Sequence, residues 1–141
     1  MIILGIDPGY DRLGVAIIER NSGNEKLIFS QTFETSKKEE FKDRMFLVTD
    51  FVRKIIKKNK PEYLSIEKLY FNTNQKTATN VAEVRGAIIF VAMDLGLKVY
   101  EYTPLEIKLA ITGYGRSDKK QVLFLLKKLI KIEKEIKYDD E

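Results

Sequence analysis

The order of strand-like and helix-like segments constrains the fold of this chain more than any other feature. Three segments rich in β-branched, aromatic and other apolar residues come first, at 2–6, 13–19 and 26–35. From residue 37 the apolar residues instead recur at helical spacing as far as Pro61, at Phe41, Met45, Val48, Val52 and Ile55. This order predicts three antiparallel strands followed by an amphipathic helix.

Strands and helices alternate in the rest of the chain. Segments 63–66 and 98–102 are typical of strands, and 77–95 is typical of a helix that ends near Gly96. Thr103-Pro104 resembles a helix cap followed by proline at the first helical position, and Asp118 can cap a last helix. We therefore predict one α/β domain over residues 1–141, with a mixed five-stranded sheet flanked by helices.

The predicted helix 77–95 carries two apolar stripes. One stripe consists of Val81, Val84, Ile88, Val91 and Leu95, and the other of Ala78, Ala82, Ile89 and Met93. A helix that is apolar over so much of its circumference is buried on both sides, either inside the fold or against a partner subunit.

Two residue types are missing, and their absence excludes many kinds of catalytic site. With no cysteine and no histidine, the chain has no disulfides, thiol nucleophiles, Cys/His zinc sites or imidazole bases. The commonest remaining strategy is a cluster of carboxylates that holds a hard cation such as Mg²⁺. The lack of cysteine also fits a reducing cytoplasm.

Asp7 and Glu67 are the carboxylates best placed for such a cluster, because each follows a predicted central strand. Ligands of α/β sheets usually bind at the edge where such strands end. Alternatively, Asp7 caps the turn at Pro8-Gly9 and Glu67 is a surface residue beside Lys68. Spacing alone leaves both interpretations open.

The charge pattern is mildly basic, with a net charge of +4 and a pI of about 9.1. Basic residues crowd two segments: Lys37, Lys38, Lys42, Arg44, Arg53, Lys54, Lys57, Lys58 and Lys60, and then Arg116, Lys119, Lys120, Lys127, Lys128, Lys131, Lys134 and Lys137. Such faces suit a polyanion, although they also occur as merely solvated surface. No apolar run approaches the roughly 20 residues of a membrane helix, and no signal peptide is evident, so we expect a soluble cytoplasmic protein.

A bulky apolar run, Leu69-Tyr70-Phe71, follows Glu67. Exposed aromatic rings beside an acidic site can stack on unpaired bases. The alternative is that the rings pack beneath the next helix. We expect Tyr70 to be exposed and Phe71 to belong to the core.

Four blocks of sequence resemble the RuvC family of bacterial Holliday junction resolvases, in order along nearly the whole chain. They are Ile-Leu-Gly-Ile-Asp-Pro-Gly at 3–9, Ser-Ile-Glu-Lys-Leu-Tyr-Phe-Asn-Thr-Asn-Gln-Lys-Thr-Ala at 65–78, Arg-Gly-Ala at 85–87 and Ile-Thr-Gly-Tyr-Gly-Arg-Ser-Asp-Lys-Lys-Gln-Val at 111–122. Actin-like ATPases and sugar kinases share only the first pattern, and an actin-like ATPase needs two such domains around a cleft. The second and last blocks are far more discriminating.

The resemblance implies a ribonuclease H-like fold and a homodimer through the 77–95 helix. It also implies paired, metal-dependent nicking of a four-way DNA junction that leaves 5′-phosphate and 3′-hydroxyl ends. Two Mg²⁺ ions, or Mn²⁺ in their place, would be held by Asp7, Glu67 and Asp140, with Asp139 as the alternative register. The implied DNA contacts are Tyr70 near the crossover and, at the phosphates, Lys76, Arg85, Lys108, Arg116, Lys119 and Lys120. A branch-migration motor is a further candidate partner.

The end of the chain departs from the family pattern. The family has an Asp-x-x-Asp pair that opens a final helix, whereas this chain stops at Tyr138-Asp139-Asp140-Glu141. We therefore expect a C-terminally shortened chain with incomplete metal ligation, which binds junctions better than it cuts them.

Two other interpretations stay open. An RNA-processing nuclease of the YqgF type would share the opening strand-Asp-x-Gly pattern and the Arg-Leu-Gly-Val-Ala run at 12–16. The other interpretation is a non-catalytic junction-binding protein with vestigial carboxylates.

Overall fold

The computed structural model describes residues 1–69 and 75–132, with side chains in the second range from residue 77 onward. The strands of these ranges are β1 (Ile2–Asp7), β2 (Arg12–Asn21), β3 (Asn24–Glu34), β4 (Tyr63–Glu67), β5 (Lys98–Tyr102) and β6 (Ile130–Lys131). The helices are α1 (Phe41–Asn59), α2 (Gln75–Asp94), α3 (Pro104–Thr112) and α4 (Lys119–Leu129).

The described strands form one mixed sheet in the order β5-β4-β1-β2-β3-β6. β2 is antiparallel to both β1 and β3, whereas β4 is parallel to β1 and to β5. The predicted mixed sheet with three leading antiparallel strands is thus confirmed. The sequence did not predict β6, a two-residue strand parallel to Glu25–Lys26 of β3, because so short a segment shows no periodicity.

The core lies between one face of the sheet and the two long helices. On β1, Leu4 and Ile6 are buried, and each is level with a buried residue of β2 and of β4, so these side chains share a face. The apolar stripes of α1 and α2 belong to the same cluster and include Val48, Val52, Ile55, Ile56, Val84, Ile88 and Val91. The apolar residues that repeat at helical spacing and those that repeat at strand spacing therefore pack into one core.

The two apolar stripes of α2 differ in how far the described residues cover them. Val84 and Ile88 are fully buried. Of the second stripe, Ile89 packs against the core, whereas Met93 is 63% exposed. Phe90, which belongs to neither predicted stripe, is 68% exposed beside it. The expected burial on both sides therefore requires something other than the described residues to cover the second side.

Local signals set the helix ends. Thr103 and Asp118 both form capping boxes, with Glu106 and Gln121 as their partners, as the sequence predicted for these two caps. Gly96, beyond the end of α2, has a φ of 85°, a conformation that glycine adopts without strain. No helix within 1–69 or 75–132 has both the length and the apolar character needed to cross a membrane.

Candidate active site

Asp7 and Glu67 end two neighbouring parallel strands. Ile6 of β1 pairs with Ile66 of β4. Asp7 and Glu67 are the next residues on these two strands, so they lie level with each other at the same edge of the sheet. Adjacent strands lie about 4.8 Å apart, which places the two side chains beside each other. The structure thus brings the two residues together, and their role as metal ligands stays a prediction.

The pKa of Glu67 reflects its surroundings, which include the nearby Asp7 carboxylate. Burial raises the pKa of the half-buried Glu67 carboxyl above its ordinary value, and the negative charge of Asp7 raises that pKa further. Lys108 of α3 opposes both effects and lowers the pKa. The sequence analysis predicted Lys108 only as a phosphate contact, whereas the fold places its positive charge near enough to Glu67 to affect that pKa.

This donor set fits a hard divalent cation. Two carboxylates that repel each other at a partly buried edge are relieved by a cation between them, and oxygen ligands are those that Mg²⁺ prefers. In the part of the chain that the structure describes, no group of three or more Asp, Glu, His or Cys side chains could hold a metal. Asp139 and Asp140 lie outside the described residues, as do Tyr70 and Phe71.

A tight turn follows Asp7 and opens onto a cleft. A Cβ at Gly9 would collide with the carbonyl oxygen of Arg12, so only glycine fits there. Beside the turn is an open cleft of about 470 Å³, lined by Asp7, Pro8, Gly9, Tyr10, Asp11, Arg12, Glu34, Thr35, Lys37, Thr77 and Val81. Asp7 therefore lies on the wall of a space that is accessible to solvent and to a ligand.

Arg44 corrects one part of the sequence interpretation. The charge pattern grouped it with a basic surface, but Arg44 is only 7% exposed. The overlooked signal is its spacing, since Arg44 lies on the apolar stripe of α1 between Phe41 and Val48, where a buried charge needs a partner of opposite charge. That partner is Asp11, in the turn after Asp7.

Arg85 of α2 is engaged within the chain. Its Nε donates to the carbonyl oxygen of Glu67 at 2.9 Å, and its guanidinium forms an ion pair with Glu101 of β5. These contacts tie the ends of β4 and β5 to α2. A DNA contact by Arg85 stays a prediction, and the observed partners support a role in holding the Glu67 strand end.

The loop between α3 and α4 presents the other basic candidates. Thr112 and Ser117 join its two ends through a hydroxyl–hydroxyl hydrogen bond of 2.7 Å. Exposed on or just after this loop are Arg116, Lys119 and Lys120. Their charges suit phosphate contacts, which stay predictions, and the side chain of Lys76 lies outside the described part.

We predict that the pKa of Glu67 responds in opposite directions to its two charged neighbours. In metal-free protein, Asp7→Asn removes a negative charge and lowers this pKa, whereas Lys108→Gln removes a positive charge and raises it. A carboxyl-detected NMR titration measures both shifts. Lys98→Gln, at the other end of β5, is the control that should leave the value unchanged. An unchanged pKa in Asp7→Asn would mean that the two carboxylates do not interact.

Comparison with known proteins identifies the family of this chain. The family model described as crossover junction endodeoxyribonuclease RuvC matches residues 3–141. The RuvC protein of Petrotoga mobilis is 42% identical over 140 residues, which cover 99% of this chain and 86% of that protein. The RuvC protein of Halothermothrix orenii is 42% identical over 141 residues, covering 99% and 85%.

Solved structures show the same fold. Thermus thermophilus RuvC in complex with a Holliday junction substrate matches with a TM-score of 0.89 and 25% identity, over 98% of this chain and 84% of that one. The yeast mitochondrial Holliday junction resolvase Ydc2 matches with a TM-score of 0.74 at 14% identity, over 94% and 64%, which supports the fold alone. The expected ribonuclease H-like fold is thereby confirmed, and the chain belongs to the RuvC family of crossover junction endodeoxyribonucleases.

Proposed function

We propose that this chain resolves four-way DNA junctions by metal-dependent hydrolysis at the edge where Asp7 and Glu67 meet. The observation that carries the proposal is the parallel pairing of β1 with β4, which places the Asp7 and Glu67 carboxylates side by side. The chain also belongs to a family of junction endonucleases. The Thermus relative is in complex with a Holliday junction, which supports the same substrate class here.

In this proposal, Asp7 and Glu67 hold the divalent metal. The chemistry that two Mg²⁺ or Mn²⁺ ions supply when bound is activation of water and stabilisation of the leaving 3′ oxygen, which gives 5′-phosphate and 3′-hydroxyl ends. Lys108 contributes a fixed positive charge beside the carboxylates, where it would bind an oxygen of the scissile phosphate. The open cleft beside Asp7 leaves room for the DNA strand.

Asp140 is proposed as a third ligand, with Asp139 as the alternative, and the direction of β6 supports it. Ile130–Lys131 runs parallel to β3, so the chain leaves β6 heading toward the edge that carries Asp7. Lys131 is level with Lys26 of β3, six residues before Thr32, which is level with Asp7 across the sheet. At ordinary strand spacings the diagonal from Lys131 to Asp7 is therefore about 24 Å. Asp140 follows Lys131 by nine residues, which span up to about 30 Å when extended and only about 14 Å as a helix. Nine extended residues after Lys131 would therefore be long enough for Asp140 to reach the Asp7 edge, whereas nine helical residues would not.

The exposed side chains of Phe90 and Met93 on α2 support a homodimer. They are neighbours on one side of the helix and form an apolar surface that the described residues do not cover. A second copy of the same helix would cover it through a two-fold interface. Two active sites related by that symmetry would then act on two symmetric strands of a junction.

The proposed DNA surface combines exposed basic residues with the carboxylate edge. Arg116, Lys119 and Lys120 are exposed where α4 begins, and α3, which carries Lys108, precedes them. Cations of this kind position a nucleic acid through its phosphates and do not read its sequence. Tyr70, Lys76 and a branch-migration motor remain proposals outside the described contacts.

Cleavage of a synthetic four-way junction tests the proposal. We predict that Asp7→Asn and Glu67→Gln each slow cleavage about 100-fold or more, because a bound metal contributes several kcal/mol and about 1.4 kcal/mol corresponds to tenfold. Asp50→Asn, at a surface ion pair with Lys54 on α1, is the matched control. Gel analysis of end-labelled strands gives the rates and shows whether the nicks are symmetric.

The assay is run on residues 1–141 and on a chimaera that adds the C-terminal segment of the Petrotoga mobilis relative, because the family pattern places a further carboxylate after Asp140. Junction binding without nicks in the chimaera would favour the non-catalytic alternative. Preferential cleavage of structured RNA would favour the RNA-processing alternative.

A second experiment tests the dimer. Phe90→Asp puts a charge into the proposed interface and should weaken self-association about 30-fold or more, the effect expected at a central interface residue. Analytical ultracentrifugation over a range of concentrations measures the change. Ile28→Asp alters another exposed apolar residue, 49% exposed on β3, and should leave the dimer intact. A wild-type chain that is monomeric at high concentration would rule this interface out.

A further inference from the structure

Arg44 is the centre of a network behind the turn that follows Asp7. Its guanidinium forms an ion pair with Asp11, and its Nε donates to Thr35 Oγ1 at 2.8 Å. The Thr35 hydroxyl in turn donates to the carbonyl oxygen of Tyr10. One side chain from the first turn of α1 thus links the β1–β2 turn to the end of β3.

The ring of Tyr10 completes this network. The Arg44 guanidinium lies 4.7 Å from the ring centroid, and Phe41 packs edge-on against the ring with centroids 5.4 Å apart. The backbone amide of Thr35 also donates to the carbonyl oxygen of Asp11, at 3.2 Å. The segment Tyr10–Asp11 is therefore held by side-chain, ring and backbone contacts.

This arrangement bears directly on Asp7. The segment held by Arg44 begins three residues after Asp7. Between them, proline fixes φ at Pro8, and Gly9 packs against the carbonyl oxygen of Arg12 too closely for any Cβ. Tyr10, Asp11 and Thr35 line the same cleft as Asp7. A displacement of the turn would therefore be transmitted to the Asp7 carboxylate.

Stability alone is a weak reason to bury an arginine at this position. Replacing a buried ion pair with apolar residues of similar volume is often neutral or stabilising. A planar guanidinium, in contrast, fixes several acceptors in one geometry, which a flexible apolar side chain does not do. The contacts of Arg44 are of this kind, since Thr35, Asp11 and Tyr10 lie on two different chain segments.

We propose that Arg44 is a positioning residue for the metal site: it fixes the Tyr10–Asp11 segment and thereby holds Asp7 in the orientation that binds a divalent cation. The inference rests on the proposed role of Asp7 as a metal ligand. It assigns Arg44 no contact with metal or DNA.

Mn²⁺ binding, followed by electron paramagnetic resonance on the whole chain, tests this role. Arg44→Lys keeps the charge but loses the planar fork, and it should weaken Mn²⁺ binding about 10-fold, in the range known for residues that orient metal ligands. Asp11→Asn, at the half-exposed partner, should weaken it in the same direction and serves if Arg44→Lys fails to fold. Arg53→Lys is the control on the same helix, at a surface pair with Asp94.

Junction affinity in the presence of a chelator provides the second measurement and should stay within twofold of wild type in the charge-conserving variants Arg44→Lys and Arg53→Lys. If Asp7→Asn abolishes Mn²⁺ binding while Arg44→Lys and Asp11→Asn behave like Arg53→Lys, the positioning role is overturned and the metal site stands. If Asp7→Asn itself leaves Mn²⁺ binding unchanged, the metal site and the inference both fail.

Discussion

The parallel pairing of β1 with β4 is the constraint on which the candidate site depends, because it forces Asp7 and Glu67 to end side by side. Backbone hydrogen bonds in the centre of a sheet are not easily displaced, so the two strand ends stay adjacent and keep the two negative charges near each other. Burial raises the pKa of the Glu67 carboxyl most, and the Asp7 charge that this pairing holds nearby raises that pKa further. Two carboxylates held this close favour a divalent cation, because the positive charge offsets the repulsion between them.

Two arginines from helices outside this strand pair contact the chain at or beside the two carboxylate residues. Arg85 anchors the carbonyl of Glu67 and bridges to β5, while Arg44 anchors the turn after Asp7. Both arginines come from helices that pack on the same face of the sheet. The hydrophobic core therefore does more than stabilise the fold, since it also sets the positions from which two guanidinium groups reach the strand ends.

Local signals in the sequence were sufficient for most of the fold. Periodicity located five strands and the long helices, and the caps at Thr103 and Asp118 depend only on residues a turn away. Long-range contacts account for what was missed. The burial of Arg44 depends on Asp11, which lies 33 residues earlier, and the proximity of Lys108 to Glu67 depends on how α3 follows β5. The helical spacing of Arg44 indicates that it faces the core, but no local pattern identifies Asp11 or Glu67 as the neighbouring charge.

The most direct test of the account is a double-mutant cycle on Mn²⁺ affinity with Asp7→Asn and Glu67→Gln. If the two carboxylates share one metal site, each single substitution weakens binding strongly and the double variant is scarcely weaker than the more affected single one. Such non-additivity is the predicted result. Either a single substitution without effect, or losses that simply multiply in the double variant, would contradict the claim that the β1–β4 pairing builds one shared site.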